Sequence, residues 1–338
     1  MRTITLPAIL LLLFSVLTVG CSSEANGSTE YFGDDDPPEH NIYFGDPYVL
    51  LDDGTYYMYG TGRDSDTGIE VYTSEDLENW IGPVGVTDGF ALHKDDVIGD
   101  RWFWAPEVYN VNGTYYMFFS TEEHMAIATS ESPLGPFVQE EQQFLADFKA
   151  IDHSLFVDTD GAHYIYFAKF EDGLEIWGAE FAEDFSEINF DTMERQISQS
   201  QEWEKSQKDP VGIVNEGVYI IKHEGMYYMI YSANHYASPD YGIGMAYAEH
   251  PLGPWTKDET NPILQNPDHL VGTGHSMLFE GKDGRLYMVY HAHNDQENIH
   301  PRIAYINEVG FVPVEGEDRY RIQVKEPRIE PMYNPPAD

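Results

Sequence analysis

Apolar and polar residues change places along this chain in short bursts, with no helical stripe of 10 to 15 residues anywhere between them. One burst recurs: a two-residue turn, then a run of aromatic and aliphatic residues in strand-like order. It reads DGTYYMYGT from Asp53, NGTYYMFFS from Asn112, DGAHYIYFA from Asp160, EGMYYMIYS from Glu224 and DGRLYMVYH from Asp283. Glycine stands second each time, where a tight hairpin needs positive φ. The starts lie 59, 48, 64 and 59 residues apart, too far for single hairpins and right for four-stranded sheets. Five such sheets set radially predict an all-β fold, a five-bladed β-propeller with four-stranded blades around a central tunnel. SEDLENW, SPLGPF and HPLGPW fall later in their units and read as equivalent outer turns. A β-sandwich with coincidental hairpins is the competing arrangement, and five matches disfavour it.

In a propeller the strand before each repeated turn is the innermost of its blade and borders the axis. Seven or eight residues back from the turns stand Asp46, Trp104, Asp152, Glu216 and His275. The spacing therefore predicts three carboxylates, an indole and an imidazole around one mouth of the tunnel. It also explains Asp152, which opens the otherwise apolar run IDHSLFV. A lone acid there would be read as a strand cap or an amide acceptor; three at matched offsets point to chemistry. Glycoside hydrolysis needs one protonated carboxyl group for the leaving oxygen and one ionised group to activate water or attack. A third carboxylate raises the acid's pKa by like-charge repulsion.

Composition narrows the partners. The 338 residues hold 18 Lys plus Arg against 59 Asp plus Glu, a formal charge of −41, so phosphate backbones are repelled and nucleic acid is excluded. The simplest reading of that charge is a solvated acidic shell. One cysteine excludes a disulfide framework or a cysteine-rich zinc site. Residues 1–21 have a basic start, an apolar core and a small residue before Cys21, the pattern of a secretory signal. Gly20–Cys21 followed by SSEANGSTE fits lipid anchoring, with Thr18 where such signals usually carry Leu; secretion with cleavage near Gly20 is the rival. Residues 22–40 read as a flexible acidic tether and 41–338 as a single catalytic domain. The expected protein is exported, monomeric, and touches a membrane only through Cys21.

GDPYVLLDDGTYYMYGT, WAPEVYNVNGTYYMFFS, IDHSLFVDTDGAHYIYF, NEGVYIIKHEGMYYMIYSAN and GTGHSMLFEGKDGRLYMVYHAH resemble the successive blade motifs of glycoside hydrolase family 43, from about residue 41 to about 330. The resemblance implies Asp46 as general base, Asp152 as pKa modulator and Glu216 as general acid. It implies single-displacement inversion on arabinose- or xylose-containing glycans, sometimes galactans, with no cofactor for the chemistry. Three departures stand out: Gly45 where an Arg is common, and His153 and Val218 where Pro is frequent. A related galactan-acting propeller glycosidase and a non-catalytic sugar-binding propeller are the alternatives; the latter is disfavoured because all three carboxylates are present.

Further candidates surround that trio. Trp104 suits a stacking platform for a sugar face or packing at the tunnel mouth. His275 resembles the family's axial histidine, which in many members approaches a calcium ion or its water shell, so a structural Ca²⁺ in the tunnel is a candidate. Ca²⁺ ordinarily takes oxygen ligands, however. Arg302 resembles a late-blade arginine at the substrate pocket, with a surface ion pair as the other reading. His291, His293 and His300 have a spacing that could mimic zinc ligation, without cysteine or helix to support it. Trp203, on the longest insertion, is either a subsite wall or a loop anchor.

Overall fold

The computed structural model describes residues 41–208, 212–326 and 332, and among them the repeat becomes five antiparallel blades. Blade 1 holds β1 (Gly45–Asp52), β2 (Thr55–Thr61), β3 (Gly68–Ser74) and β4 (Trp80–Ile81), with β5 (Phe90–His93) paired to β3. Blade 2 holds β6 (Trp104–Val111), β7 (Thr114–Thr121) and β8 (His124–Ser130). Blade 3 is β9 (Ala150–Val157), β10 (His163–Phe170), β11 (Leu174–Phe181) and β12 (Glu194–Ile197). Blade 4 is β13 (Asn215–His223), β14 (Met226–Ala233), β15 (Gly242–Ala248) and β16 (Thr256–Lys257). Blade 5 is β17 (Gly274–Glu280), β18 (Leu286–Ala292), β19 (Ile303–Pro313) and β20 (Tyr320–Val324).

Two blades depart from four strands. Blade 1 gains β5, and blade 2 stops at three because SPLGPF continues into a single bridge, Val138 to Thr129, instead of a strand. The next residues, QEEQQ, are polar and acidic and offer no apolar face to bury.

Turn chemistry follows the repeat. Asp53–Gly54, Asn112–Gly113 and Glu224–Gly225 have positive φ at both central positions, the two-residue turn whose twist matches its strands. In blades 3 and 5 only Gly161 and Gly284 do, and their loops are longer. The sixth letter of each repeat, Met58, Met117, Ile165, Met229 and Met288, is fully buried. The core lies between blades: one cluster joins blades 2 and 3, another blades 3 and 4, a third blades 4 and 5. Blades 5, 1 and 2 share the largest, where Phe279 and Val289 meet Val49, Met58 and Val108. Near the hairpins, Tyr115 Oη donates to Asp52 (2.7 Å), Tyr227 Oη donates to Asp158, and Tyr56 Oη accepts from Lys282 N–H (2.8 Å). The first two tie blade 2 to 1 and blade 4 to 3; the third, with Ala304 N–H to the Ile42 carbonyl (3.1 Å), closes blade 5 onto blade 1.

Candidate active site

Every inner strand carries a bulge near its start. Two residues face one on the second strand at 46–47, 105–106, 152–153, 217–218 and 275–276. The first residue of each pair has positive φ: Asp46 50°, Ala105 45°, Asp152 56°, Gly217 57° and His275 47°. Four of these five are not glycine, so the strain is retained at a site that needs it. The bulge re-aims the side chains of Asp46, Asp152 and His275 from the interblade space to the axis. Glu216 and Trp104 stand one residue before the bulge and so lie eight residues before their turns where Asp46 lies seven, while Asp152 and His275 are eight back because their hairpin loops are longer.

A belt of hydrogen bonds fixes the five bulges. Each bulge N–H donates to a side chain of the preceding blade: Ala105 to Thr61 Oγ1 (3.0 Å), Asp152 to Ser120 Oγ (3.1 Å), His275 to Ser232 Oγ (2.7 Å) and Asp46 to His291 Nδ1 (3.0 Å). Thr61, Ser120, Ser232 and His291 occupy one register position, paired with Gly45, Trp104, Glu216 and Gly274. In blade 3 that position is Ala168, which has no acceptor. There Asp152 Oδ2 takes the Gly217 N–H itself (3.2 Å). Asp152 thus also anchors the backbone beside Glu216.

The three carboxyl groups converge, each under a tenth exposed: Asp46 9%, Asp152 8% and Glu216 6%. Arg302 grips Asp46 with a two-pronged fork, Nη1 to Oδ1 (2.7 Å) and Nη2 to Oδ2 (3.0 Å). Thr61 Oγ1 donates to Oδ2 (2.6 Å), and His275 Nδ1 lies 3.2 Å from Oδ1 and 3.7 Å from Asp152 Oδ2. Burial opposes charge on Asp46, but Arg302, then His275 and His291, hold its pKa well below the usual range. Glu216 goes the other way: burial first and the Asp152 charge second push it up to about 8. Burial also raises Asp152 to about 6, against the pull of His275 and with a push from Asp46. These shifts favour an ionised carboxylate on blade 1 and a protonated carboxyl group on blade 4 at neutral pH.

The remaining candidates separate. Arg302 is at the site, on Asp46. Trp104 stacks on Trp102 (5.5 Å, 14°), whose ring also carries the Arg101 guanidinium at 4.1 Å from its centroid. His275 bridges two carboxylates, and burial notwithstanding, their charges raise its pKa to about 9. An imidazolium facing two acids is a poor calcium donor, and no group of three or more His, Cys, Asp or Glu among the described residues could hold a metal. The donor set therefore does not fit a protein-held Ca²⁺ on His275. His291 backs Asp46, His293 Nε2 lies 2.7 Å from the Tyr236 carbonyl oxygen, and His300 stands edge-on to Tyr236, so these three form no zinc site. Trp203 is a loop anchor: its ring packs on Tyr231 (6.0 Å), and its Nε1 donates to Gln201.

Two groups escaped the spacing argument. Glu107, directly after the blade 2 bulge, is hydrogen-bonded by Tyr109 and raised to about 8, chiefly by burial. A charged residue within WAPEVYNV was the signal available for it. Tyr241, fully buried, stacks on His291 (5.6 Å), and a Cβ at Gly274 would come within 2.0 Å of its ring. Nothing in its local sequence marked it.

A five-bladed propeller that gathers carboxyl groups with oppositely shifted pKa values near its axis has the groups that glycoside hydrolysis needs. Residues 41–313 match Glycosyl hydrolases family 43, and the chain belongs to that family. It is similar to a solved structure described as an endo-1,4-beta-xylanase from Bacteroides thetaiotaomicron, at 40% identity and TM-score 0.80, covering 87% of this chain and 99% of that one. It is 26% identical to a beta-D-galactofuranosidase of Aspergillus niger, over 80% of this chain and 82% of that protein. A probable arabinan endo-1,5-alpha-L-arabinosidase B of Aspergillus fumigatus is 28% identical, over 75% and 80% of the two chains.

Proposed function

We propose that this glycosidase is an inverting, exo-acting enzyme of α-L-arabinofuranosidase or β-xylosidase type, with Glu216 as general acid and Asp46 as general base. The observation that carries the roles is the opposed surroundings of these two buried carboxyl groups, Asp46 gripped by the Arg302 fork and Glu216 facing the Asp152 charge, which shift their pKa values in opposite directions. Glu216 gives its proton to the glycosidic oxygen as the bond to the anomeric carbon breaks. Water attacks the opposite face and gives its proton to Asp46. Asp46 has four lone-pair positions, all occupied by Arg302 twice, Thr61 and His275. Its contact with His275 is the longest of the four at 3.2 Å.

Recessed carboxyl groups favour a pocket for one terminal sugar. The wall is uneven: the turns after the second strand are short in blades 2 and 3 and long in blades 4 and 5. The substrate class rests on the xylan- and arabinan-named relatives. Aryl α-L-arabinofuranoside, aryl β-xyloside and aryl galactosides, furanosides included because of the galactofuranosidase relative, should separate the sugars. Polysaccharide digests should release monosaccharides with inverted configuration by NMR. Oligosaccharide products would overturn exo action, retained configuration would overturn the base role, and no turnover on any substrate would leave a sugar-binding propeller.

We also propose export with a lipid anchor at Cys21 and a dispensable tether at residues 22–40, all outside the described residues. Wild-type protein should partition with membranes in its native host, and Cys21→Ser should release it or leave its signal uncut. Fully soluble wild-type protein after export would rule the anchor out.

A further inference from the structure

Arg302 is wedged into a space made for it. A Cβ on Gly45 would lie 1.9 Å from Arg302 Cζ, 2.1 Å from Nη2 and 2.2 Å from Nε, so the guanidinium fills the place a side chain at 45 would take. Its edge is spent on Asp46 through Nη1 and Nη2. A guanidinium held by one edge can still tip out of the plane it shares with the carboxylate unless a face is covered. That cover is Tyr236, whose ring centroid lies 4.9 Å from Cζ.

Tyr236 is held in turn. Its carbonyl oxygen meets His293 Nε2 at 2.7 Å, and the His300 ring stands edge-on to its own at 5.8 Å. Its segment runs between β14 and β15 and is pinned by Asn234 Nδ2, which donates to the carbonyls of Trp203 (3.0 Å) and Asp240 (2.8 Å). Three blades therefore meet at the base: blade 1 supplies Asp46, blade 5 supplies Arg302, and blade 4 lays an aromatic ring over it.

Resting on the assignment of Asp46 as base, we propose that Tyr236 is a positioning residue that fixes the Arg302 fork on Asp46. The cation–aromatic contact is partly desolvated, because Arg302 is 9% exposed, which puts it at the stronger end for such pairs.

The test is steady-state kinetics on the dinitrophenyl glycoside of the preferred sugar, with Tyr236→Phe, Tyr236→Ala, Tyr236→Leu, Arg302→Lys and the double variant Tyr236→Ala/Arg302→Lys. Tyr236→Phe should stay within about twofold of wild type, while Tyr236→Ala should lower kcat by about tenfold with KM little changed. Tyr236→Leu keeps the bulk without the π face, so it should match Ala and covers the case of an unstable Ala variant. In the Arg302→Lys background, loss of the ring should change the residual rate no further, because the two act as one unit. A raised KM with unchanged kcat would make Tyr236 a sugar platform and overturn the proposal. So would multiplicative losses in the double variant. Asp46→Asn separates the layers: if it stays active, the base assignment falls. If it is dead while Tyr236→Ala matches wild type, only the positioning role falls.

Discussion

At the scale of single residues, the site works by giving chemically similar side chains opposite surroundings. Asp46 and Glu216 are both carboxylic acids under a tenth exposed, yet one faces Arg302 and the other Asp152. Glu216→Gln should cost natural glycans about 10²–10⁴-fold in kcat and spare dinitrophenyl glycosides, whose leaving group departs without a proton. Asp46→Asn should disable both, since water must be activated in either case; equal losses in both variants would refute the role assignment. The pH profile follows with its sign. Activity should fall as pH rises through about 8, where Glu216 loses its proton, and should survive well into acid because the Asp46 pKa is depressed. Asp152→Asn removes the second cause of the high Glu216 value but leaves burial, so the alkaline limb should move part of the way down. A limb that stayed in place would deny Asp152 its modulating role.

At the scale of elements, the inner strand with its bulge is the repeated device, and its partner is the last letter of each repeat. Reading DGTYYMYGT, NGTYYMFFS, DGAHYIYFA, EGMYYMIYS and DGRLYMVYH to their ends gives Thr61, Ser120, Ala168, Ser232 and His291. Four carry an acceptor and one does not, and at that exception Asp152 itself accepts the Gly217 N–H. Asp152→Asn keeps an acceptor for Gly217 N–H, whereas Asp152→Ala loses charge and acceptor together. Asp152→Ala should therefore lose more kcat than Asp152→Asn, and Ala168→Ser should restore part of that difference by supplying the missing hydroxyl. Equal losses in the two single variants would show that the anchor is idle. Much of the blade architecture was legible in advance, because hairpin turns and strand alternation are local signals. The axial trio was legible because a fixed offset places one residue per blade. The bulge was not, since it appears only when two strands are paired, and the single-residue difference between Asp46 and Glu216 depends on it. Tyr236, Tyr241 and the face of Arg302 were illegible for a related reason: their contacts join blades distant in sequence. Gly45 shows the limit well, a visible departure whose cause is an arginine 257 positions later.

At the scale of the whole molecule, the full chain has a formal net charge of −41, and the few cations among its blades are unevenly spent. Arg302, Arg319 and Lys257 are each under a tenth exposed in their side chains and paired with buried carboxylates. They are therefore unavailable to offset the acidic exterior. Mutual repulsion among the exposed acids opposes the compact state, and salt weakens it as the screening length falls from roughly 10 Å at 0.1 M to roughly 3 Å at 1 M. Surface pairs such as Lys205–Glu202 and Lys208–Asp240 weaken too, but exposed pairs contribute little, while the repulsion sums over the whole shell. The melting temperature should accordingly rise as NaCl increases across that range. The buried ring around Asp46 is shielded from the same ions, so the alkaline limb set by Glu216 should stay within a few tenths of a pH unit, an order-of-magnitude expectation for charges that salt reaches poorly. Thermal unfolding and pH–rate profiles over one salt series measure both quantities. A melting temperature that fell with salt would mean that the attractive surface pairs, and not the acidic excess, govern stability. A limb that moved as far as the melting curve would mean that the catalytic ring is open to bulk ions.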